Sequence, residues 1–410
     1  MRVDLQEFCA EAFASLRRRD QRYWGGVYLR GLMLDGERKS VEPISLRLPE
    51  TDRQSLQQFP ADSPWDPVPV RAAMARRMAE VISPEAVVFD DTGFPKCGLE
   101  SPGVARQYSG TLGKTGNCQV AVSTHLATDH ASYPANWRLF LPAKQWDPSS
   151  DKCPDPAVVA ARRARCKIPE QVGHTEKWRL ALDSLDELHA WGVRVPLALA
   201  DAGYGDCFEF RLGLQERGLS YLVGVTGTMT AHPADARRVQ PPYLGRGRVA
   251  GAAYPDKPLS VAALATAAGA KAARTVSWGE GSKTKGGRMR TLRSRFLAIR
   301  MRPAGVAPQR HYRGQDLPEC WLLAEWPADK DAPVQLWLSN LLPDTPMKTL
   351  VRQAKLRWRI EHDYRGMKTG LGLDHFKGRT FTGFHHHVTC VALAHTFITR
   401  LRLGKGPAAA

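Results

Sequence analysis

Three carboxylates stand out by their surroundings. "EAVVFDDTG" sets Asp90 and Asp91 where an apolar run gives out, and "VPLALADAGYGD" sets Asp201 in the same situation with glycines behind it. Strand ends are where mixed α/β folds present reacting groups. Successive strand residues point to opposite faces, so only one of Asp90 and Asp91 belongs to a given site. Two aspartates at two strand ends suit a hard divalent cation, which prefers carboxylate oxygens and leaves positions for water or phosphate. Taken alone, either aspartate equally fits a turn or the cap of the next helix. The third carboxylate, Glu361, lies in "RWRIEHDYRGMKTGLGLDHFKGR". At about 100° per residue, Arg357, Glu361, Arg365 and Lys368 share one narrow helical face beside an apolar stripe of Leu356, Ile360 and Met367. That is a metal-binding carboxylate with cations for phosphates beside it, or else a solvated face of i,i+4 pairs worth roughly a few tenths of a kcal/mol.

The elements that must position these groups follow from periodicity. Residues 1–80 read as a helical N-terminal domain whose basic faces suit either a DNA-binding domain or a solvated Arg-rich surface, interrupted by the polar, proline-containing "PETDRQSLQQFPADSPWDP". From 81 to 225, "EAVVFDD", "NCQVAVSTHLA", "WRLFLP", "RVPLALAD" and "SYLVGV" read as strands, with helices over "HTEKWRLALDSLDELHAWG" and "CFEFRLGLQERG". Strands and helices in that order predict a mixed α/β sheet flanked by helices. Residues 226–342, with "RTVSWGEG", "SRFLAIRMRP", "CWLLAEWP" and "VQLWLSNL", read as a β-rich insertion subdomain. Residues 343–403 return to the core as one long helix from Thr345 to about Leu373 and a last amphipathic helix. Residues 404–410 read as a disordered tail.

The 410 residues carry 58 Lys and Arg against 41 Asp and Glu, a net charge of +17, which favours polyanionic partners. No apolar run reaches the roughly 18 residues a membrane span needs, and the expectation is a cytoplasmic, nucleoid-associated protein without a membrane partner. Eight cysteines with no C-x-x-C pair give neither a disulfide framework nor a zinc ribbon. His385, His386, His387, Cys390 and His395 lack a recognised zinc spacing and read as polar residues of a helix.

Taken together, "DDTGFPKCGLESPGVARQYSGTLGKTGNCQVAVSTHLA", "ALADAGYGD" and "LRWRIEHDYRGMKTGLGLDHF" resemble, in order, the blocks of bacterial insertion-sequence DDE transposases. The resemblance is to the branch with a Y-x2-R-x3-E-x6-K signature and, within it, the insertion-sequence 701 group. It implies a ribonuclease H-like core, with Asp91, Asp201 and Glu361 as the catalytic metal ligands. It implies two Mg²⁺ ions about 3.5–4 Å apart, with Mn²⁺ able to substitute, Asp91 bridging them and Asp201 and Glu361 holding one each. Arg357 and Lys368 match the signature's basic residues, which contact DNA near the scissile phosphate. The signature's tyrosine falls at Ala354, a departure that bears on a DNA contact and not on the carboxylates, and Tyr364 does not stand in for it. Transposon-end and target DNA are the implied partners, with a homodimer where two ends are brought together.

Further DNA contacts are expected from Arg106, Gln107, Tyr108 and Lys114, in a Gly-rich loop able to approach a phosphate backbone. "GSKTKGGRMRTLRSR" adds Lys283, Lys285, Arg288 and Arg290 without an acid among them, which suits a loop along a phosphate backbone or else a disordered basic loop. Tryptophans 278, 321, 326 and 337 suit either packing in the insertion or stacking on a base. Two rivals stay open. One is a catalytically inactive DNA-binding descendant. The other is an aspartyl-phosphate phosphatase, which "FDDTG" and "DAGYGD" also resemble, although the adjacency of Asp90 and Asp91 departs from its spacing.

Overall fold

The computed structural model describes residues 2–48, 52–243, 245, 251–280 and 290–404, without the side chains of residues 2, 3 and 290. They form two compact units, one from the residues up to Val195 and those from Trp358 onward, the other from Pro196–Arg357.

The first unit opens with α1 (Arg2–Ala12), α2 (Arg19–Met33), α3 (Val41–Arg47), α4 (Arg53–Ala61) and α5 (Pro67–Ile82). Asp52 and Asp66 cap α4 and α5 by accepting from first-turn N–H groups, and Pro67 stands where a missing N–H costs nothing. α4 occupies the stretch that reads as a polar interruption; it is a helix because Leu56 and Phe59 bury one side of it. Then come β1 (Ala86–Pro95), β2 (Ala105–Ser109), β3 (Lys114–Ala127) and β4 (Ser132–Leu139), followed by α6 (Ala143–Trp146), α7 (Pro156–Arg165) and α8 (Lys177–Ala190). β3 is the hub of this sheet. It pairs antiparallel with β1 on one side, and with β2 and then β4 on the other.

The second unit contains β5 (Leu197–Ala200), α9 (Ala202–Gly205), α10 (Phe208–Glu216), β6 (Ser220–Val225), β7 (Thr230–Pro233), β8 (Leu259–Ser260), α11 (Val261–Ala268), β9 (Arg274–Glu280), β10 (Arg290–Pro303), α12 (Val306–His311), β11 (Cys320–Glu325), β12 (Gln335–Ser339) and α13 (Met347–Leu356). Its strands run β5–β6–β12–β11–β10–β7–β8, with β9 also on β10 and only β5–β6 parallel among these pairs. Trp326 and Trp337 are buried here, and Trp278 and Trp337 lie over the ammonium of Lys355, which is bound to Glu325 at 2.6 Å.

The chain returns to the first unit with α14 (Trp358–Leu371) and α15 (Phe381–Gly404). The single helix expected from Thr345 to Leu373 is therefore two, broken at Arg357. α15 is buried along most of its length, and two of its histidines are bonded by neighbours in the same unit. His386 reaches the carbonyls of Pro60 and Trp65, and His387 reaches the Tyr28 hydroxyl and the carbonyls of Gly372 and Leu373. Burial pushes both imidazoles down to about 4, so they stay neutral core groups near pH 7. The architecture is mixed α/β, strands flanked by helices, compatible with a ribonuclease H-like fold. Among the described residues no helix is long and apolar enough to cross a membrane.

Candidate functional site

β1 does not end at its aspartates. It runs on to Pro95, so Asp90 and Asp91 sit in mid-strand, opposite Ser123 and Val122 of β3. Apolar patterning breaks there while the hydrogen-bonded ladder continues, and a patterning argument mistakes the first for the second. Side chains directly opposite in an antiparallel pair share a face. Asp90 therefore shares the face of Ser123, and Asp91 that of Val122 and Thr124.

The helices packed on β3 identify the two faces. Thr124 Oγ1 meets Ser184 Oγ of α8 at 2.7 Å, whereas Ser123 Oγ meets the Tyr364 hydroxyl of α14 at 2.6 Å. Asp91 looks toward α8, where Lys177 donates to its Oδ2 at 2.8 Å, the side chains being about a third and a quarter exposed. Asp90 lies on the α14 face, 8% exposed, and its Oδ1 accepts from the Asp91 N–H at 2.8 Å.

α14 is held by a buried polar chain. His125 Nε2 lies 2.9 Å from Ser123 Oγ, its Nδ1 lies 3.3 Å from Asp363 Oδ2, and His395 of α15 reaches Asp363 Oδ1 at 3.2 Å. Burial alone would raise the Asp363 carboxyl, but the two imidazoles hold it well below the usual carboxylate range. Burial lowers His125, with Asp363 opposing, so His125 is assigned as neutral with Nδ1 donating. Ser123, His125 and Asp363 have the order of a hydrolytic triad. They are 0–4% exposed, and Ser123 is engaged by Tyr364, so their role is bracing.

Farther along α14, Lys368 donates to the Gly93 carbonyl of β1 at 2.9 Å and to Thr111 Oγ1 at 2.7 Å. Burial lowers its ammonium to about 8, with Asp374 opposing. Glu361 and Arg365 are exposed, and Arg357 is half-buried at the break before α14. Asp201, in the second unit, N-caps α9 by accepting from the Gly203 N–H at 2.9 Å, the plainer of its two sequence readings. Among the described residues, no group of three or more His, Cys, Asp or Glu side chains is drawn together for a metal.

Arg106, Gln107 and Tyr108 are on strand β2 and Lys114 begins β3, so only Gly110–Gly113 is the expected loop. Arg106, Tyr108 and Lys114 are exposed, while Gln107 turns inward to the carbonyl of Cys118 at 2.9 Å. Lys283, Lys285, Arg288, the side chain of Arg290 and tail residues 405–410 lie outside the described residues. Periodicity missed Lys177, Asp363 and His125; a buried-strand pattern interrupted by "STH" was the available signal.

A family model described as DDE superfamily endonuclease matches residues 11–285, which include the strands bearing Asp90, Asp91 and Ala200 and stop short of α14. A probable transposase for insertion sequence element IS701 from Microchaete diplosiphon is 28% identical over 198 residues, 48% of this chain. The match spans 46% of that relative's length, about half of it. A family match over well over half of the sequence, containing two of the three strand-borne and helix-borne carboxylate segments, places the chain in the DDE superfamily of endonucleases.

Proposed function

We propose that the chain is a transposase: it binds the ends of a mobile element as double-stranded DNA, cuts them by metal-dependent hydrolysis and joins the freed 3′-hydroxyl to target DNA. One observation carries this reading. Lys368 on the Gly93 carbonyl lays α14, with Glu361 on the same flank two turns earlier, along the strand that bears the aspartates.

The donor set would be one carboxylate of the Asp90–Asp91 pair, placed on Asp91 by the sequence resemblance, with Asp201 and Glu361. All are hard oxygen donors, which fits Mg²⁺ or Mn²⁺, and the superfamily works with divalent metal ions. Two such ions, when bound, would activate the attacking water or 3′-hydroxyl and neutralise the leaving oxygen. The chain's own cations do the rest. Arg357 and Arg365 on either side of Glu361, and Arg106, Tyr108 and Lys114 along the exposed hairpin, offer contacts for DNA phosphates, as do Lys283, Lys285, Arg288 and Arg290. Lys368 enters this list as an anchor of the helix as much as a DNA contact. Joining two ends calls for two copies of the chain, hence a homodimer on DNA.

The test is a duplex carrying the inverted repeats that flank the gene, incubated with Mg²⁺ or Mn²⁺. Wild type should nick it at the repeat ends, and Asp201→Asn and Glu361→Gln should each lose about a hundredfold or more in rate while still binding the duplex. Binding without cleavage by wild type in either metal would show a DNA-binding descendant and refute the enzyme.

A further inference from the structure

The geometry points to Asp90, not Asp91, as the β1 carboxylate that works with Glu361. The inference rests on the transposase reading and names a residue of that same site.

Register comes first. β1 pairs with β3 without a shift over ten residues, placing Asp90 opposite Ser123 and Asp91 opposite Val122. Ser123 and His125 are the β3 side chains that bind α14, through Tyr364 and Asp363. Asp90 therefore lies on the α14 side of the sheet and Asp91 on the α8 side.

Level along the strand comes second. Lys368 marks Gly93 on β1. Glu361 lies seven residues before Lys368 on the same flank, two helical turns or about 10.5 Å back. Asp90 lies three residues before Gly93, about 10 Å along a strand. Tyr364, four residues before Lys368, bonds Ser123, which is Asp90's own register partner, so helix and strand advance in the same direction. Tyr364 is thus level with Asp90, and Glu361 lies less than one helical turn beyond it.

Asp91, third, already has an occupation. Lys177 opens α8, at the positive end of the helix dipole where a lysine is disfavoured, and Asp91 offsets that placement at 2.8 Å. A carboxylate committed to closing one face of the sheet needs no metal to explain it.

The experiment compares Asp90→Asn, Asp91→Asn and Glu361→Gln in the full chain. Mn²⁺ binding is read from the free-ion signal in electron paramagnetic resonance, alongside cleavage of the repeat duplex and a circular-dichroism melt that confirms folding. Asp90→Asn and Glu361→Gln should each weaken Mn²⁺ binding about tenfold or more, as losing a ligand does, with Asp91→Asn near wild type. Loss with Asp91→Asn and retention with Asp90→Asn overturns the assignment and restores Asp91. Equal loss in both overturns the choice of a single carboxylate. If Glu361→Gln also binds Mn²⁺ and cleaves like wild type, the underlying transposase site has failed, and the Asp90 assignment with it. Asp90→Asn could lose its fold, being buried; Asp90→Glu then serves, with metal binding and cleavage expected to fall in a chain that melts like wild type.

Discussion

Replacing Asp363 by Asn keeps the shape of a side chain that is 4% exposed and removes its charge. In the native chain each carboxylate oxygen serves one imidazole, His125 at 3.3 Å and His395 at 3.2 Å. The amide keeps one acceptor oxygen and sets an NH₂ group against the other ring. A hydrogen bond to a charged group contributes about 1.5–3 kcal/mol, and both contacts are long, so the loss should be about 2–3 kcal/mol including the poorly partnered ring. At roughly 2–4 °C per kcal/mol for a unit of this size, the melting midpoint should fall by about 4–12 °C. A far-UV circular-dichroism melt of the full chain at pH 7 measures it. The pH dependence has a definite sign. A carboxyl held below its unfolded value near 4 stabilises fully above that value, and the stabilisation disappears as pH falls through the lower folded value. The gap between wild type and Asp363→Asn should close as the pH is taken below about 4. A midpoint within about 2 °C of wild type at pH 7 would refute the idea that this carboxylate braces α14.

Gly93→Ala should destabilise by about 1–3 kcal/mol, because an added Cβ would stand 1.9 Å from Ser109 Oγ and 2.8 Å from Ser109 Cβ. Ser109→Gly in the same chain should recover most of the loss, and a melt in which it does not would dispose of the steric account. Lys368, lowered to about 8, gives a second pH test. Between about pH 8 and 10.4 the unfolded chain binds a proton that the folded chain has released, so stability rises with pH in this window. Urea midpoints should therefore shift in favour of wild type over Lys368→Met between pH 7 and 10; an unchanging difference argues against a depressed ammonium.

Much of the core was legible because strand composition and burial coincide. "SYLVGV" is β6 residue for residue, and β9 to β12 fall where β-prone runs stand between loop signals. α4 was not legible, since its apolar side consists of few residues within a polar, proline-bearing stretch. The break at Arg357 was not either, because helical periodicity continues across it and Arg357 itself keeps helical dihedrals. At the site, spacing alone drew attention to Asp90, Asp91 and Glu361. It could not say which aspartate faces which helix, for that depends on pairing with β3, some thirty residues away in sequence.

The tight fit of Gly93 on Ser109 has a meaning for the aspartates beside it. Two identical side chains in succession do not by themselves resist a slip: sliding β1 by a single residue would turn Asp91 to the α14 face and Asp90 to the α8 face, still with one aspartate on each. Such a slip would bring Thr92 or Phe94 to the place where only a bare α-carbon clears the serine. The glycine thus acts as an index mark, rejecting the misaligned strand before the choice between two equivalent carboxylates can go wrong.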